Sequence, residues 1–114
     1  MVNRREIGTQ QELLAADYLK KKGYDIYCMN FRCKTGEIDI IAKDGDYLVF
    51  CEVKYRATAT YGYPEEAVDY YKQNTIRRVS QFYMLKNNID MNTPVRFDVI
   101  AILGGKLKHI RNAF

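Results

Sequence analysis

The chain reads as an α/β fold, a mixed central sheet flanked by helices. Three observations predict it. Residues 9–22 carry helical periodicity and stop at Gly23. The stretch G-E-I-D-I-I-A-K-D-G-D-Y-L-V-F-C-E-V-K, residues 36–54, reads as two strands joined at a D-G turn. After a second helical stretch, V-R-F-D-V-I-A-I-L returns to strand composition.

Each element has a local reason. Thr9-Gln10-Gln11-Glu12 has the form of a capping box, followed by L-L-A-A-D-Y-L-K-K-K, which places the first helix at about residues 9–22. Glu12, Ala15, Ala16 and Leu19 fall at i, i+3, i+4 and i+7 and share one face. Lys20, Lys21 and Lys22 suit the negative end of its dipole. Y-D-I-Y-C-M-N-F-R is a strand rich in aromatic residues, and the two runs of the hairpin follow. A polar loop, A-T-A-T-Y-G-Y, precedes Pro64, which can open the next helical region. Within that region Ile76, Val79, Phe82 and Tyr83 form an apolar face, with Arg77 and Arg78 beside it. Pro94 marks a boundary, Gly104-Gly105 is a turn, and K-L-K-H-I-R is a last strand. The order is helix, three strands, helix, two strands, in a single domain spanning residues 1–114.

Composition narrows the class. The chain has 114 residues, 47% hydrophobic and 28% charged, enough for one core without staples. No apolar run approaches the roughly 20 residues of a membrane span. M-V-N-R-R-E has no apolar segment behind its charges, so a cytoplasmic location is expected. Cys28, Cys33 and Cys51 are odd in number and lack C-x-x-C spacing, which argues against a disulfide framework or a zinc site with His109. Cys28 and Cys51 lie in apolar runs and read as buried thiols. Net charge is +4, unevenly spread. Residues 1–36 hold seven basic and four acidic side chains, residues 37–69 three and eight, and residues 70–114 eight and two. Basic flanks around an acidic middle suit a protein that holds a polyanion by its edges and a cation at its centre. They also suit plain solvated faces.

The hairpin carries the chemistry. Side chains alternate along a strand, so Glu37, Asp39 and Ile41 share one face of the first run, and Phe50, Glu52 and Lys54 share one face of the second. With Asp44-Gly45 as a two-residue loop, residue 39 faces 50 and 37 faces 52. Asp39, Glu52 and Lys54 then lie on one side, with Asp39 and Glu52 diagonal neighbours about 7–8 Å apart. A slip of one residue would separate them. Two unit charges about 5 Å apart repel by roughly 3 kcal/mol at an effective dielectric of about 20. A divalent cation such as Mg²⁺, which takes oxygen ligands, reverses that sign. With a lysine on the same face, the set matches metal-assisted phosphodiester hydrolysis. The competing reading is a surface ladder of salt bridges, which spacing alone does not defeat.

Asp39 with Glu52-Val53-Lys54 is similar to the D…(D/E)-x-K pattern of the restriction-endonuclease-like fold. More widely, Gly8, Glu12, Ala15, Tyr18-Leu19, N-F-R at 30–32, G-E-I-D-I-I-A, F-C-E-V-K-Y-R, R-F-D-V-I and the terminal H-I-R-N-A-F resemble the YraN-like family over nearly the whole chain. That resemblance implies an αβββαβ core and similarity to archaeal Holliday-junction resolvases. It implies Mg²⁺ or Mn²⁺ as cofactor, with Asp39, Glu52, the Val53 carbonyl and Glu12 as ligands and Lys54 as the catalytic lysine. It implies DNA as partner, and a homodimer is a further implication. Ile38 stands where the family pattern often has proline before the first aspartate.

Other positions keep two readings. Glu12 serves the site or, at the third position of a T-x-x-E box, returns to the Thr9 N–H. Glu37 reads as a neighbour of the site. Asp98 reads as structural, paired with an arginine such as Arg96 or Arg56 or bound to backbone. Arg56, Lys72, Arg77 and Arg78 are candidate phosphate contacts, and Tyr61, beside Tyr55 and Tyr63, is a candidate stacking residue. The expected function is a Mg²⁺-dependent endonuclease on structured DNA. The alternative is a nucleic-acid-binding or adaptor protein that keeps the fold without turnover.

Overall fold

Asn3, rather than Thr9, caps the first helix, its side chain accepting from the Glu6 N–H at 2.9 Å. The computed structural model describes residues 3–114. Helix α1 runs Arg4–Lys21, so Thr9 and Glu12 lie inside it and the capping role expected of Glu12 falls away. Gly23 ends it in a left-handed conformation, φ 93°. Strands β1 (Asp25–Cys33), β2 (Gly36–Asp44) and β3 (Tyr47–Arg56) follow as antiparallel neighbours. Pro64 opens only a 3₁₀ turn, Pro64–Ala67. Helix α2 starts later, at Tyr70, because Asp69 caps it through the Lys72 N–H at 2.9 Å, and it ends at Lys86. Strand β4 (Val95–Leu103) returns parallel to β3, and β5 (Lys106–Ile110) pairs antiparallel outside it. The result is a mixed α/β architecture, a five-stranded sheet in the order β1-β2-β3-β4-β5 with two helices.

The helices cover opposite faces. Ala15, Ala16 and Leu19 of α1 pack on Ile40, Ala42, Val49, Cys51, Ile100 and Ile102. Ile76, Val79, Tyr83 and Met84 of α2 pack on Ile38, Ile41, Leu48, Phe50 and Val99. Phe82, expected on the inner face of α2, is 46% exposed. Cys51 is fully buried as expected, but Cys28 is only half-buried. No helix among the described residues is long and apolar enough to cross a membrane.

The β2–β3 turn sits one residue later than the sequence suggests. Asp44 pairs with Tyr47 across Gly45-Asp46, and Gly45 takes φ 58°. Every pair therefore shifts by two residues, a change that by itself leaves the alternation of faces as it was. The shift brings Asp39 from a diagonal position toward one directly opposite Glu52.

Asp98 is fully buried and structural. Arg96 donates to it from Nε at 2.9 Å and from a terminal nitrogen at 3.1 Å. The Asn112 N–H donates at 3.0 Å and the Tyr24 hydroxyl at 3.3 Å. His109 Nε2 lies at 2.7 Å. A carboxylate only accepts, so Nε2 carries a proton, and Nδ1 lies 3.2 Å from the Tyr18 hydroxyl. Arg96 also reaches Asp44 at 3.0 Å, linking the hairpin turn to β4. Beyond Asn112, the Ala113 N–H donates to the Phe97 carbonyl at 2.7 Å, and Phe114 stacks on the Phe97 ring. Burial alone would raise the Asp98 carboxyl, but donation from His109, Arg96 and Asn112 outweighs it and holds it down at about 2. Asp98→Asn leaves Arg96 without its buried counter-charge. We expect it to destabilise the fold by about 3–5 kcal/mol in urea unfolding. A folded pKa below the ordinary 3.8 stabilises above that value, and the contribution disappears as pH falls through about 2. The variant's deficit should shrink over that interval, and an unchanged deficit would contradict the assignment.

Candidate metal and phosphate site

The site begins where regular pairing stops. The β2–β3 ladder runs from Asp44↔Tyr47 back to Ile40↔Cys51 and goes no further. At the next position Asp39 uses its side chain instead, Oδ2 accepting from the Val53 N–H at 2.8 Å. On the other flank, the position opposite Asp39 is Asn30, which has φ 55° and drops out of the β1–β2 pairing. Asparagine is one of the few residues with a side chain that tolerate this left-handed region. The kink reverses the alternation: Ile38 packs on the α2 side and Ile40 on the α1 side, two residues apart. A strict period of two, as the sequence suggested, would have put both on one side.

The structure brings Asp39 and Glu52 together under cover, at 6% and 4% exposure. Burial pushes the Glu52 carboxyl up to about 9, reinforced by a hydrogen bond to Asp39 and by its charge, while Lys72 and Lys54 pull back. Glu52 Oε2 is buried without a hydrogen bond. Lys72 Nζ lies 3.4 Å from it, close enough for charge attraction but not aimed as a hydrogen bond. Lys72, expected on phosphate, thus reaches the carboxylate from the first turn of α2.

The remaining candidates arrange around this pair. Lys54 is half-buried one strand repeat beyond Glu52 and, with Val53, Tyr55 and Glu12, lines a cleft of about 400 Å³. Glu12 projects from α1 with its carboxyl raised, by burial first and then by Asp39, partly offset by a hydrogen bond from Asn30. It feels Asp39 without completing a cage: among the described residues, no three His, Cys, Asp or Glu side chains cluster as a metal set. Glu37 is engaged by Arg32 at 3.0 Å, which leaves it a neighbour. Arg56 ends β3 half-buried, its carbonyl accepting from the Gly104 N–H at 2.8 Å. Tyr61 is 88% exposed and Arg78 is exposed. Arg77 lies over the Phe97 and Phe114 rings, where it packs the C-terminal tail.

Sequence reasoning missed four contributors. Asn30 both makes the kink and holds Glu12, and its signal was an asparagine interrupting an aromatic strand. Gln11 lines the cleft with a buried Oε1 that has no donor. Tyr70 and Tyr71, 70% and 82% exposed, stand beside Lys72 at the start of α2. Only their residue type marked them.

The raised Glu52 carboxyl has a pH consequence. A carboxyl raised above its ordinary 4.5 contributes stability that is full below that value and lost as pH rises through about 9. In chelator-treated buffer, stability should fall between those limits. Glu52→Gln should flatten the profile and gain about 1–2 kcal/mol near neutral pH. A parallel fall in both proteins would show that the pair is relaxed by other means.

A family model described as Uncharacterised protein family UPF0102 matches residues 11–102. The chain is 44% identical over 113 residues to a UPF0102 protein of Lachnoclostridium phytofermentans, covering 99% of this chain and 96% of that one. It is 50% identical over 113 residues to one of Thermodesulfovibrio yellowstonii, covering 97% of each. A third, from Clostridium botulinum, is 47% identical over 116 residues, covering 96% and 94%. The chain belongs to the UPF0102 family, the YraN-like family that its motifs resemble.

Proposed function

We propose that the protein is a divalent-cation-dependent endonuclease acting on structured DNA. One observation carries the reading: two carboxylates, Asp39 and Glu52, are buried against each other, and one oxygen of Glu52 accepts no hydrogen bond. Such a pair is costly to the fold and useful to a site, because it needs a proton or a cation. The donor set suits Mg²⁺ or Mn²⁺, which accept two carboxylates and keep several waters. Asp39, Glu52 and the Val53 carbonyl would hold the ion, with Glu12 behind them. A bound ion would supply Lewis-acid polarisation of phosphate and water. Lys54 would place its positive charge on the phosphate as negative charge builds. Arg56, Arg78 and Tyr61, together with Tyr70 and Tyr71, would position the strand through backbone charge and stacking. The element order α1-β1-β2-β3-α2-β4 supports a restriction-endonuclease-like arrangement. By the resolvase likeness the proposal extends to branched DNA and a homodimer.

The Lys72 ammonium at 3.4 Å from Glu52 favours a second reading, in which an internal cation replaces the metal and the protein binds nucleic acid without turnover. Cleavage assays on branched, flapped and single-stranded DNA with Mg²⁺ or Mn²⁺ separate the two. As an endonuclease, the wild type cuts and Lys54→Ala loses about 10²–10³-fold in rate. Asp39→Asn abolishes both cleavage and metal-induced stabilisation. Salt-sensitive binding unaffected by either variant, with no cleavage by wild type, would establish the second reading instead.

A further inference from the structure

We propose that the cleft between α1 and the end of β3 holds a single unstacked nucleobase of the bound strand. This rests on the phosphodiester reading of Asp39, Glu52 and Lys54, and it names the feature of the substrate that the site recognises.

Arg4, Ile7, Gly8 and Gln11 recur at i, i+3, i+4 and i+7, so they form one stripe of α1. That stripe, with Val53 and Tyr55 opposite, lines the cleft of about 400 Å³, a volume within the range of small-ligand sites. Ile7 and Val53 supply apolar walls and Tyr55 an aromatic one, which suits a flat ring. Gly8 keeps the space open. Its backbone does not need glycine, because its φ is not positive, and a Cβ built there meets nothing within 4 Å. Glycine is nonetheless among the poorest residues inside a helix, so its presence is explained by room rather than by conformation.

The polar chemistry selects the occupant. Gln11 Oε1 is buried and accepts from no group of the protein. A ring N–H or exocyclic amine of a base would satisfy it, as flipped bases are read through their hydrogen-bonding edges. Arg4 and Lys54 line the same cleft and are cations suited to the flanking phosphates. Lys54 and Glu12 also border the Asp39–Glu52 pair, so a nucleotide seated here sits next to the proposed reaction centre. A fully stacked duplex cannot supply such a base without extruding it. The preferred substrate therefore carries an unpaired nucleotide beside the phosphate to be cut.

The test is binding with cleavage silenced by chelator. A short fluorescent oligothymidylate is compared with a chain of equal length whose residues are abasic, by anisotropy. Wild type should bind the base-bearing strand about tenfold more tightly, on the scale of one stacked base. Gly8→Leu, which fills the cleft from a helix-compatible position, should erase that preference and leave abasic binding unchanged. Gln11→Leu should reduce the preference in the same way. Thermal melts confirm that each variant is folded. Equal wild-type affinity for the two strands, or equal losses for both in Gly8→Leu, would overturn the base site while leaving nucleic-acid binding intact. Failure to bind either strand would overturn the phosphodiester reading and this inference with it. Base-dependent binding without cleavage of any substrate would sustain the cleft and remove only the nuclease activity.

Discussion

One buried carboxylate, Asp98, joins segments that are far apart in the chain. Through Arg96, His109, Tyr24 and the Asn112 backbone it fixes β4 to the end of α1, to β5 and to the tail, and Arg96 carries the link on to the β2–β3 turn. Glu52, on the neighbouring strand and buried almost as deeply, is the internal comparison. Asp98 is saturated with donors and stays ionised down to about pH 2, whereas Glu52 lacks them and is forced toward its protonated form. Both are buried; the supply of donors differs. The fold satisfies one buried acid thoroughly and sets the other against a like charge, at a cost to stability.

The placement of that second acid depends on the first. Arg96 pins the β2–β3 turn through Asp44, and the turn sets the register of the whole hairpin. From there the pairing runs for a few residues and is released at Asp39, whose carboxylate takes over from the ladder by accepting the Val53 N–H. The released end of β3 borders the cleft. Lys54, Tyr55 and the α1 stripe line it, while the middle of the paired stretch, Ile40–Ala42 with Val49–Cys51, is buried between the two core layers.

Much of this was legible in the sequence, and the omissions have physical causes. Alternation found the hairpin, because a register error of two residues leaves a regular strand's alternation intact, but it does not carry through Asp39, where the faces reverse between Ile38 and Ile40. It misplaced the turn, since D-G and G-D both fit a two-residue loop and the choice was made by the Asp44–Arg96 contact, a tertiary one. The true start of α1 was hidden because Arg4 and Arg5 oppose the helix dipole, while Thr9-x-x-Glu12 imitates a cap. The kink at Asn30 and Asp39 could not be read from period, because it is where the period breaks. The Asp98 cluster was half legible: Arg96 two residues away was a natural partner, but His109, Tyr24 and Asn112 arrive only with the fold.

The same kink bears on how copies of the chain behave toward one another. Strand β1 is an edge of the sheet, nine residues long, with a row of backbone groups facing outward. An unbroken edge of that length is a template for a further strand. Here the pairing shifts between Ile26 and Cys28, and Asn30 turns into the left-handed region three residues after the exposed Tyr27. Neither half of the edge is straight for long enough to recruit a neighbour in register. The distortion that frees Asp39 from its ladder thereby also guards the sheet against growing at its margin, and a variant that straightened Asn30 would lose both properties at once.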